Sequence, residues 1–279
     1  MAKSILKKIS GKKTEISIPS YEPEPMLHGS VMTINDDDMV PIVDAIFEGY
    51  RKNNVPKFQT KKTFAPSTIV WNHGVCPRYW YLAFQGGTFF EYRTGKETTN
   101  MDHGTDRHAR IQQAMEDAGI LIEKEKETRL SDPPIFGYVD AFVKWTDNEY
   151  IVEIKTCNNE AFERHVKNRS ASSYHILQLL IYMKIYKKKR GIILYENKNT
   201  HDLLAIPVNI NQAHVDFVDY LFDWLREVWS AWENKTIPQV PFKNNSIKLC
   251  MACPLRDACL VAPEGDIKIA RRKDEKGLF

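Results

Sequence analysis

Three polar residues near the middle of the chain have types and a spacing that could do chemistry. Asp140 ends the run GYVD, and Glu153 and Lys155 belong to the run EIK, so all three lie within sixteen residues. Side chains alternate along a strand, which predicts Glu153 and Lys155 on one side of it. A hairpin between the two runs would bring the Asp140 carboxylate beside that of Glu153.

Paired carboxylates of this kind favour a metal site. Two adjacent carboxylates repel each other and resist joint ionisation, and a divalent cation relieves that repulsion. Hard oxygen ligands suit Mg²⁺ or Mn²⁺, and such an ion polarises a phosphodiester and lowers the pKa of a bound water. Lys155 could orient that water or stabilise charge on the phosphate. The alternative is a hairpin whose polar residues are simply solvated or ion-paired.

The five cysteines form a second pattern. Cys76 and Cys157 stand alone, whereas Cys250, Cys253 and Cys259 lie close together near the C-terminus. An odd number argues against a simple disulfide framework, and thiols grouped in this way more often hold a metal. Four thiolates make a soft site that suits an iron–sulfur cluster or zinc, and the spacing leaves both open.

Strand-like segments surround the paired carboxylates. Strands are predicted at 121–130, 135–145 and 149–156, and the last two form a hairpin that turns at residues 147–148. Two further strands are predicted at 191–196 and 202–208. Their order is mainly antiparallel, without the regular alternation of a doubly wound sheet.

Amphipathic helices are predicted around these strands. His108 lies on the apolar face of a helix predicted from Thr105, its N-cap, to Ala118. Gln178 and Tyr182 are four residues apart in a helix predicted at 173–187. The remaining helices are predicted at 43–50, 77–84 and 212–234. Together with the strands they give α/β content.

Composition sets the outer limits. A chain of 279 residues that is 43% hydrophobic can bury one sizeable core. The net charge of +3 is too small to argue for nucleic acid on its own. No apolar run is long enough to span a membrane, and the N-terminus lacks a secretory core, which predicts a cytoplasmic protein. The expected domains are a partly ordered extension at 1–60, a folded domain at 61–260 and a polar tail at 261–279.

Four motifs in order resemble the RecB-like branch of the PD-(D/E)XK nucleases. They are GTDRH ending at His108, GYVD ending at Asp140, EIK ending at Lys155 and QLLIY ending at Tyr182. The proline that contributes to the family's name is absent before Asp140, and this branch does not require it. The resemblance implies a restriction-endonuclease-like core, in which helices flank a central mixed sheet.

The same resemblance implies roles for individual residues. Lys155 is expected to be catalytic, and Gln178 and Tyr182 are expected to complete the site and contact DNA. The ligands expected for Mg²⁺ or Mn²⁺ are His108, Asp140, Glu153 and the backbone carbonyl of Ile154.

The cysteines resemble the split pattern of iron–sulfur RecB-like exonucleases, which include nucleases associated with CRISPR adaptation and the AddB nuclease domain. In those proteins one upstream cysteine and three C-terminal cysteines hold a [4Fe–4S] cluster. The resemblance assigns that role here to Cys76, Cys250, Cys253 and Cys259, with zinc as the alternative. Cys157 has no place in a four-ligand set and is expected to be a buried strand residue.

Basic and aromatic side chains near these motifs are candidate DNA contacts. Arg78, Arg107 and Lys144 could bind phosphates, together with Tyr182. The aromatic residues Tyr79, Trp80 and Tyr81 could stack on bases, although core packing is the expected role for at least two of them.

The function expected from the sequence is metal-dependent DNA exonuclease activity on single-stranded ends. DNA recombination or repair, phage DNA metabolism and CRISPR adaptation are the open contexts. The alternatives are a flap or junction endonuclease, a DNA-binding module that keeps the cluster without chemistry, and a zinc-stabilised adaptor.

Overall fold

The structure is a computed structural model that describes residues 42, 44–50, 60–86, 95–242 and 248–275. For residues 95–103 it gives the course of the backbone. Residues 44–50 are helical, in agreement with the sequence prediction, and most of the extension predicted at 1–60 lies outside the described residues. Within the described ranges, no helix combines the length and the apolar character that crossing a membrane requires.

A five-stranded sheet follows the order β1-β2-β3-β4-β5. The strands are β1 (Leu121–Leu130), β2 (Ile135–Trp145), β3 (Asn148–Cys157), β4 (Arg190–Asn197) and β5 (Leu203–Asn209). Neighbouring strands are antiparallel except β3 and β4, which are parallel. A parallel pair needs a crossover connection, and here two helices provide it. The prediction of an α/β core with a central mixed sheet flanked by helices is confirmed.

In the described part of the chain, helices pack on this sheet or beside it. They are α1 (Pro66–Val70), α2 (Pro77–Phe84), α3 (Gly95–Asp117), α4 (Asn159–Asn168), α5 (Ser173–Ile185), α6 (Gln212–Glu233), α7 (Lys248–Met251) and α8 (Arg256–Val261). Ile111 and Met115 of α3 pack on one face of the sheet with Ala141 and Val152. Helix α5, which is buried along most of its length, packs with α2 and α6 in the main core on the other face.

Two helices differ from the sequence prediction. Helix α3 begins at Gly95, so Thr105 is an interior residue and not its N-cap. The residues before Thr105 are polar and lack apolar periodicity, and therefore gave no signal of a helix. Helix α4 was not predicted, because Phe162 is its single buried residue. The sequence did contain a signal for its start, because Asn is a preferred N-cap residue. In the structure the Asn158 side chain accepts from the Ala161 N–H at 2.9 Å.

The segment predicted as a polar tail packs against the core as far as residue 275. Ile269 and Arg272 are each 2% exposed. The Ala270 carbonyl accepts from the Trp224 indole N–H at 2.8 Å, and the Arg272 N–H donates to the Val75 carbonyl at 2.9 Å. Sequence patterning missed this segment because its burial rests on isolated residues and backbone hydrogen bonds.

Candidate active site

Strands β2 and β3 part where the two carboxylates stand. Their ladder ends at the pair formed by Ala141 and Val152, and the next residues on each strand are Asp140 and Glu153. The Ile154 N–H donates to Asp140 Oδ2 at 2.6 Å. This bond fixes the Asp140 carboxylate at the point where the ladder between β2 and β3 ends.

Glu153 combines deep burial with one unused oxygen. The residue is 1% exposed, and its Oε1 accepts from Lys155 Nζ at 2.5 Å. Its Oε2 is buried without a hydrogen-bond partner. Burial raises the pKa of Glu153 to about 7, which Lys155 opposes and Asp140 reinforces. A buried acceptor without a donor costs stability, so this oxygen fits a cation ligand.

Lys155 supplies the positive charge of the site. Burial lowers the pKa of its ammonium group, but Glu153 and Asp140 raise it by more, so the pKa lies above its usual value. The side chain is therefore protonated at neutral pH. An ammonium group held beside two carboxylates can donate to a water or to a phosphate oxygen.

His108 reaches the same site from helix α3. Its Nδ1 lies 3.5 Å from Asp140 Oδ1, and its side chain is 25% exposed. Burial lowers the pKa of His108, but the hydrogen bond and charge of Asp140 raise it by more, and the net pKa lies above the usual value. His108 lies close enough to Asp140 for the two to share a cation, and this role stays a prediction.

Tyr182 and Gln178 approach from helix α5. They hydrogen-bond each other, and burial followed by the charge of Glu153 raises the pKa of Tyr182 well above its usual value. The Tyr182 hydroxyl lies 3.0 Å from the point that a Cβ on Gly137 would occupy. The glycine of the GYVD motif therefore leaves room for this hydroxyl, which stays protonated and able to donate.

Two residues of the site were missed by sequence reasoning. Ligand atoms of His108, Glu125 and Asp140 all lie within 4.8 Å of one another. Gln112, four residues after His108 on α3, donates to Glu125 Oε1 at 2.6 Å and to the Asp140 carbonyl at 2.8 Å. Glu125 lies in an alternating Glu and Lys run typical of a solvated strand, so it gave no signal. The signal that the sequence did offer was the four-residue spacing of His108 and Gln112, which places both on one face of a helix.

The donor set of this site fits Mg²⁺ or Mn²⁺. Carboxylate oxygens from Asp140 and Glu153 are hard ligands, a His nitrogen lies beside them, and one buried oxygen has no other partner. The N–H of Ile154 is engaged by Asp140, and coordination through its carbonyl stays a prediction.

The four cysteines of the predicted cluster line one cavity. Cys76, Cys250, Cys253 and Cys259 meet there between α2 and the C-terminal helices. Burial raises the pKa of Cys76 to about 12 and that of Cys253 to about 11. Cys76 and Cys253 are therefore neutral unless a metal stabilises their thiolates. Cys157, which is only half-buried, lies on β3 opposite Asn197, away from that cavity.

Arg78 is a structural residue and not a DNA contact. Its side chain is 1% exposed and donates to Cys259 Sγ at 3.2 Å and to the Pro238 and Glu264 carbonyls. The three aromatic residues that follow it, Tyr79, Trp80 and Tyr81, are buried in the main core. Because all three side chains are buried, they are unavailable to stack on bases.

The other two predicted phosphate contacts differ in their surroundings. Arg107 lies 3.6 Å from the buried carboxylate of Glu196 and donates to the Lys198 carbonyl at 3.0 Å. Its guanidinium ties α3 to the end of β4, and a contact with DNA stays a prediction. Lys144 is exposed and stands opposite Glu149 in the β2–β3 ladder, so it can still reach a phosphate.

Comparisons with known proteins locate the fold only loosely. No family model matches the chain, and the search of curated proteins found no match. The solved structure of the protein SSO0001 is 14% identical at a TM-score of 0.40, covering 81% of this chain and 98% of that one. An alkaline exonuclease (LHK-Exo) from Laribacter hongkongensis is 12% identical at a TM-score of 0.48, covering 67% and 95%.

A complex of LHK-Exo with dAMP is 13% identical at a TM-score of 0.48, covering 62% of this chain and 89% of that one. These identities and scores are too low to carry an argument about activity.

Proposed function

We propose that this protein is a Mg²⁺- or Mn²⁺-dependent deoxyribonuclease that degrades DNA from its ends, with single-stranded DNA as the favoured substrate. One observation carries the proposal. Glu153 places a buried, partnerless oxygen beside the fixed carboxylate of Asp140 while its other oxygen holds the Lys155 ammonium group. Two carboxylates that can bind a divalent ion, with an ammonium group beside them, form an arrangement suited to metal-assisted hydrolysis of a phosphodiester.

Asp140, Glu153 and His108 would hold the cation. When bound, the ion supplies Lewis acidity and lowers the pKa of a water molecule. Lys155 donates to a non-bridging phosphate oxygen and stabilises the charge that develops there. The protonated Tyr182 hydroxyl, held by Gln178, donates from the α5 side and helps to orient the phosphate.

Resemblance of the motifs, and not the structural neighbours, supports activity on ends. The cysteine pattern is similar to that of iron–sulfur RecB-like exonucleases. Flap or junction cleavage is the alternative enzyme activity. A DNA-binding module without chemistry is the alternative outside enzymes. The intact Lys155 argues against it, since binding alone does not require an ammonium group paired with a buried glutamate.

We also propose that Cys76, Cys250, Cys253 and Cys259 hold a [4Fe–4S] cluster. The resemblance of the cysteine pattern to that of iron–sulfur RecB-like exonucleases supports the cluster, and zinc is the alternative. The proposed role of the cluster is structural.

Digestion of end-labelled DNA tests the activity. Single- and double-stranded linear DNA, labelled at either the 5′ or the 3′ end, and a covalently closed single-stranded circle are incubated with the protein and Mn²⁺. Release of mononucleotides or short products from linear single strands, abolished by a chelator, is the expected result. Cleavage of the circle indicates an endonuclease, and binding of linear DNA without any cleavage indicates the non-catalytic module.

A further inference from the structure

A cavity of about 460 Å³ lies where the end of α1 and the start of α5 meet residues 271–275. Its volume falls within the range of ligand pockets, which is about 300–1,000 Å³. Trp71 and Tyr174 form part of its lining, with their ring centroids 5.9 Å apart at 82°. Trp71 is 51% exposed, so much of its ring is open to a ligand. None of the residues assigned above to the cation or to hydrolysis lines this cavity.

Arg272 lines the same cavity and offers an unused donor. The residue is 2% exposed, and its Nη1 donates to Glu275 Oε2 at 2.9 Å and to the Lys273 carbonyl at 3.0 Å. Its Nε is buried and has no acceptor among the described residues. A buried donor without an acceptor costs stability, so this nitrogen fits a ligand that brings an acceptor.

The charge of the lining favours a base over an isolated phosphate. Two arginines and two acidic residues line the cavity, namely Arg271, Arg272, Asp274 and Glu275. Their formal charges cancel, so the lining does not select an anion. A nucleobase carries hydrogen-bond donors and acceptors on its edges, which such a lining can satisfy. Its π face can stack on Trp71, as unpaired bases stack on aromatic side chains in proteins that bind single strands.

A row of rings connects the cavity to the candidate active site. The ring centroids of Tyr174 and His175 are 4.2 Å apart, and His175 Nδ1 lies 2.7 Å from the Tyr195 hydroxyl. Tyr195 stands opposite Lys155 in the ladder between β3 and β4. Gln178 follows Tyr174 by four residues on α5, which is about 6 Å along the helix axis. A strand bound at the candidate active site can therefore reach the cavity.

We propose that this cavity binds an unpaired base of single-stranded DNA, stacked on Trp71 and hydrogen-bonded at its edge to the Arg272 side chain. The inference rests on the proposed function for the identity of its ligand. It also gives a physical reason for a preference for single strands. A base in a duplex must first be unpaired and unstacked before it can enter such a cavity.

Binding of DNA without cleavage tests the base site. A fluorescein-labelled single-stranded oligonucleotide is titrated with the full-length protein, with Ca²⁺ in place of Mn²⁺ and a gel to check that the DNA stays intact. The variants are Trp71→Ala and the matched control Trp145→Ala, which removes a 61% exposed tryptophan that ends β2 and does not line the cavity. We expect Trp71→Ala to bind about 10-fold more weakly than the parent. Trp145→Ala and Trp71→Phe should bind as the parent does.

An oligonucleotide of the same length without bases separates stacking from other effects. The parent and Trp71→Ala should bind this abasic strand equally, because no base is present to stack. Melting temperatures of both alanine variants should match the parent's, since both rings are more than half exposed.

Equal affinity of Trp71→Ala and Trp145→Ala for the strand with bases would overturn the base site. A loss in Trp71→Ala that is as large on the abasic strand would overturn it too, and so would a parent protein that binds neither strand. Because binding is the readout, a chain that shows the Trp71 effect but cuts no DNA would refute the nuclease and leave the base site standing. A chain that cuts DNA without any Trp71 effect would refute the base site alone.

Discussion

Glu153 lies in an environment that differs greatly from that of an ordinary carboxylate. It is buried, one oxygen holds Lys155 and the other has no donor. Burial removes the water that would solvate the carboxylate, so its charged form is destabilised until a cation binds. Asp140 adds a second negative charge nearby, which is why the pKa of Glu153 rises to about 7.

A pH dependence of stability follows for the metal-free protein. A raised carboxyl pKa means that the folded state binds more protons than the unfolded state between about pH 4.5 and pH 7, so stability falls as pH rises through that window. A pKa raised from 4.5 to about 7 corresponds to a loss of about 3 kcal/mol. We expect the melting temperature, measured with chelator, to fall between pH 5 and pH 8 and to recover with Mn²⁺.

The matched variants are Glu153→Gln and Glu149→Gln. The first should flatten the decline because it removes the titrating group, and the second should keep it because Glu149 is an exposed residue of the same strand, paired with Lys188. An equal decline in both variants would assign the effect to some other group.

At the scale of elements, the site depends on strands that diverge and on a helix that can approach them. Gly137 allows that approach, because a Cβ there would lie 2.9 Å from Pro66 and 3.0 Å from the Tyr182 hydroxyl. Helices α1 and α5 therefore close on β2 at a position where only glycine leaves enough room. Gly137 on β2 thus determines how closely the Tyr182 hydroxyl of α5 can approach the site.

We expect Gly137→Ala to lower stability by about 1–3 kcal/mol, because the extra methyl group forces the helices away from β2. It should also reduce cleavage by displacing Tyr182. Gly104→Ala is the control, since no atom lies within 4 Å of its added Cβ and alanine favours helix α3. Urea unfolding of both variants is the measurement, and an equally small change in both would contradict the packing argument.

Periodicity and spacing predicted much of the fold but only part of the site. The strands and the hairpin that carries Asp140 and Glu153 were predictable because alternating side chains and a polar turn are local features. Glu125, Gln112 and the buried role of Arg78 were not, because each depends on a contact between segments distant in sequence. A charged residue looks the same in sequence whether it faces solvent, a metal or a carbonyl.

At the scale of the whole molecule, the cysteines join the start of the domain to its end. Cys76 lies next to α2, and its three partners lie more than 170 residues later. Closing a loop of that length contributes on the order of 5 kcal/mol on a chain-entropy estimate. Arg78 reinforces the junction through its bonds to Cys259 and to the carbonyls of the C-terminal segment.

Replacement of any one of the four cysteines by serine should therefore lower both iron content and melting temperature. Cys157→Ser is the control, because this thiol stands on β3 away from the cavity. Iron per chain and thermal unfolding are measured for all five single variants. Full iron retention in Cys76→Ser, or equal loss in Cys157→Ser, would show that the ligand set is wrong, and zinc in place of iron would show the wrong metal.

The central claim is that Asp140, Glu153 and Lys155 hydrolyse DNA with a divalent cation, and single-turnover cleavage tests it most directly. The parent, Lys155→Ala and Lys188→Ala are compared on end-labelled single-stranded DNA at saturating Mn²⁺. Lys188 is a matched control because it also pairs with a glutamate of β3, at a distance from the site. We predict that Lys155→Ala loses at least about 100-fold in rate, as removal of one transition-state donor does, while its DNA affinity and the Lys188→Ala rate stay unchanged. A Lys155→Ala rate close to the parent's would contradict the account.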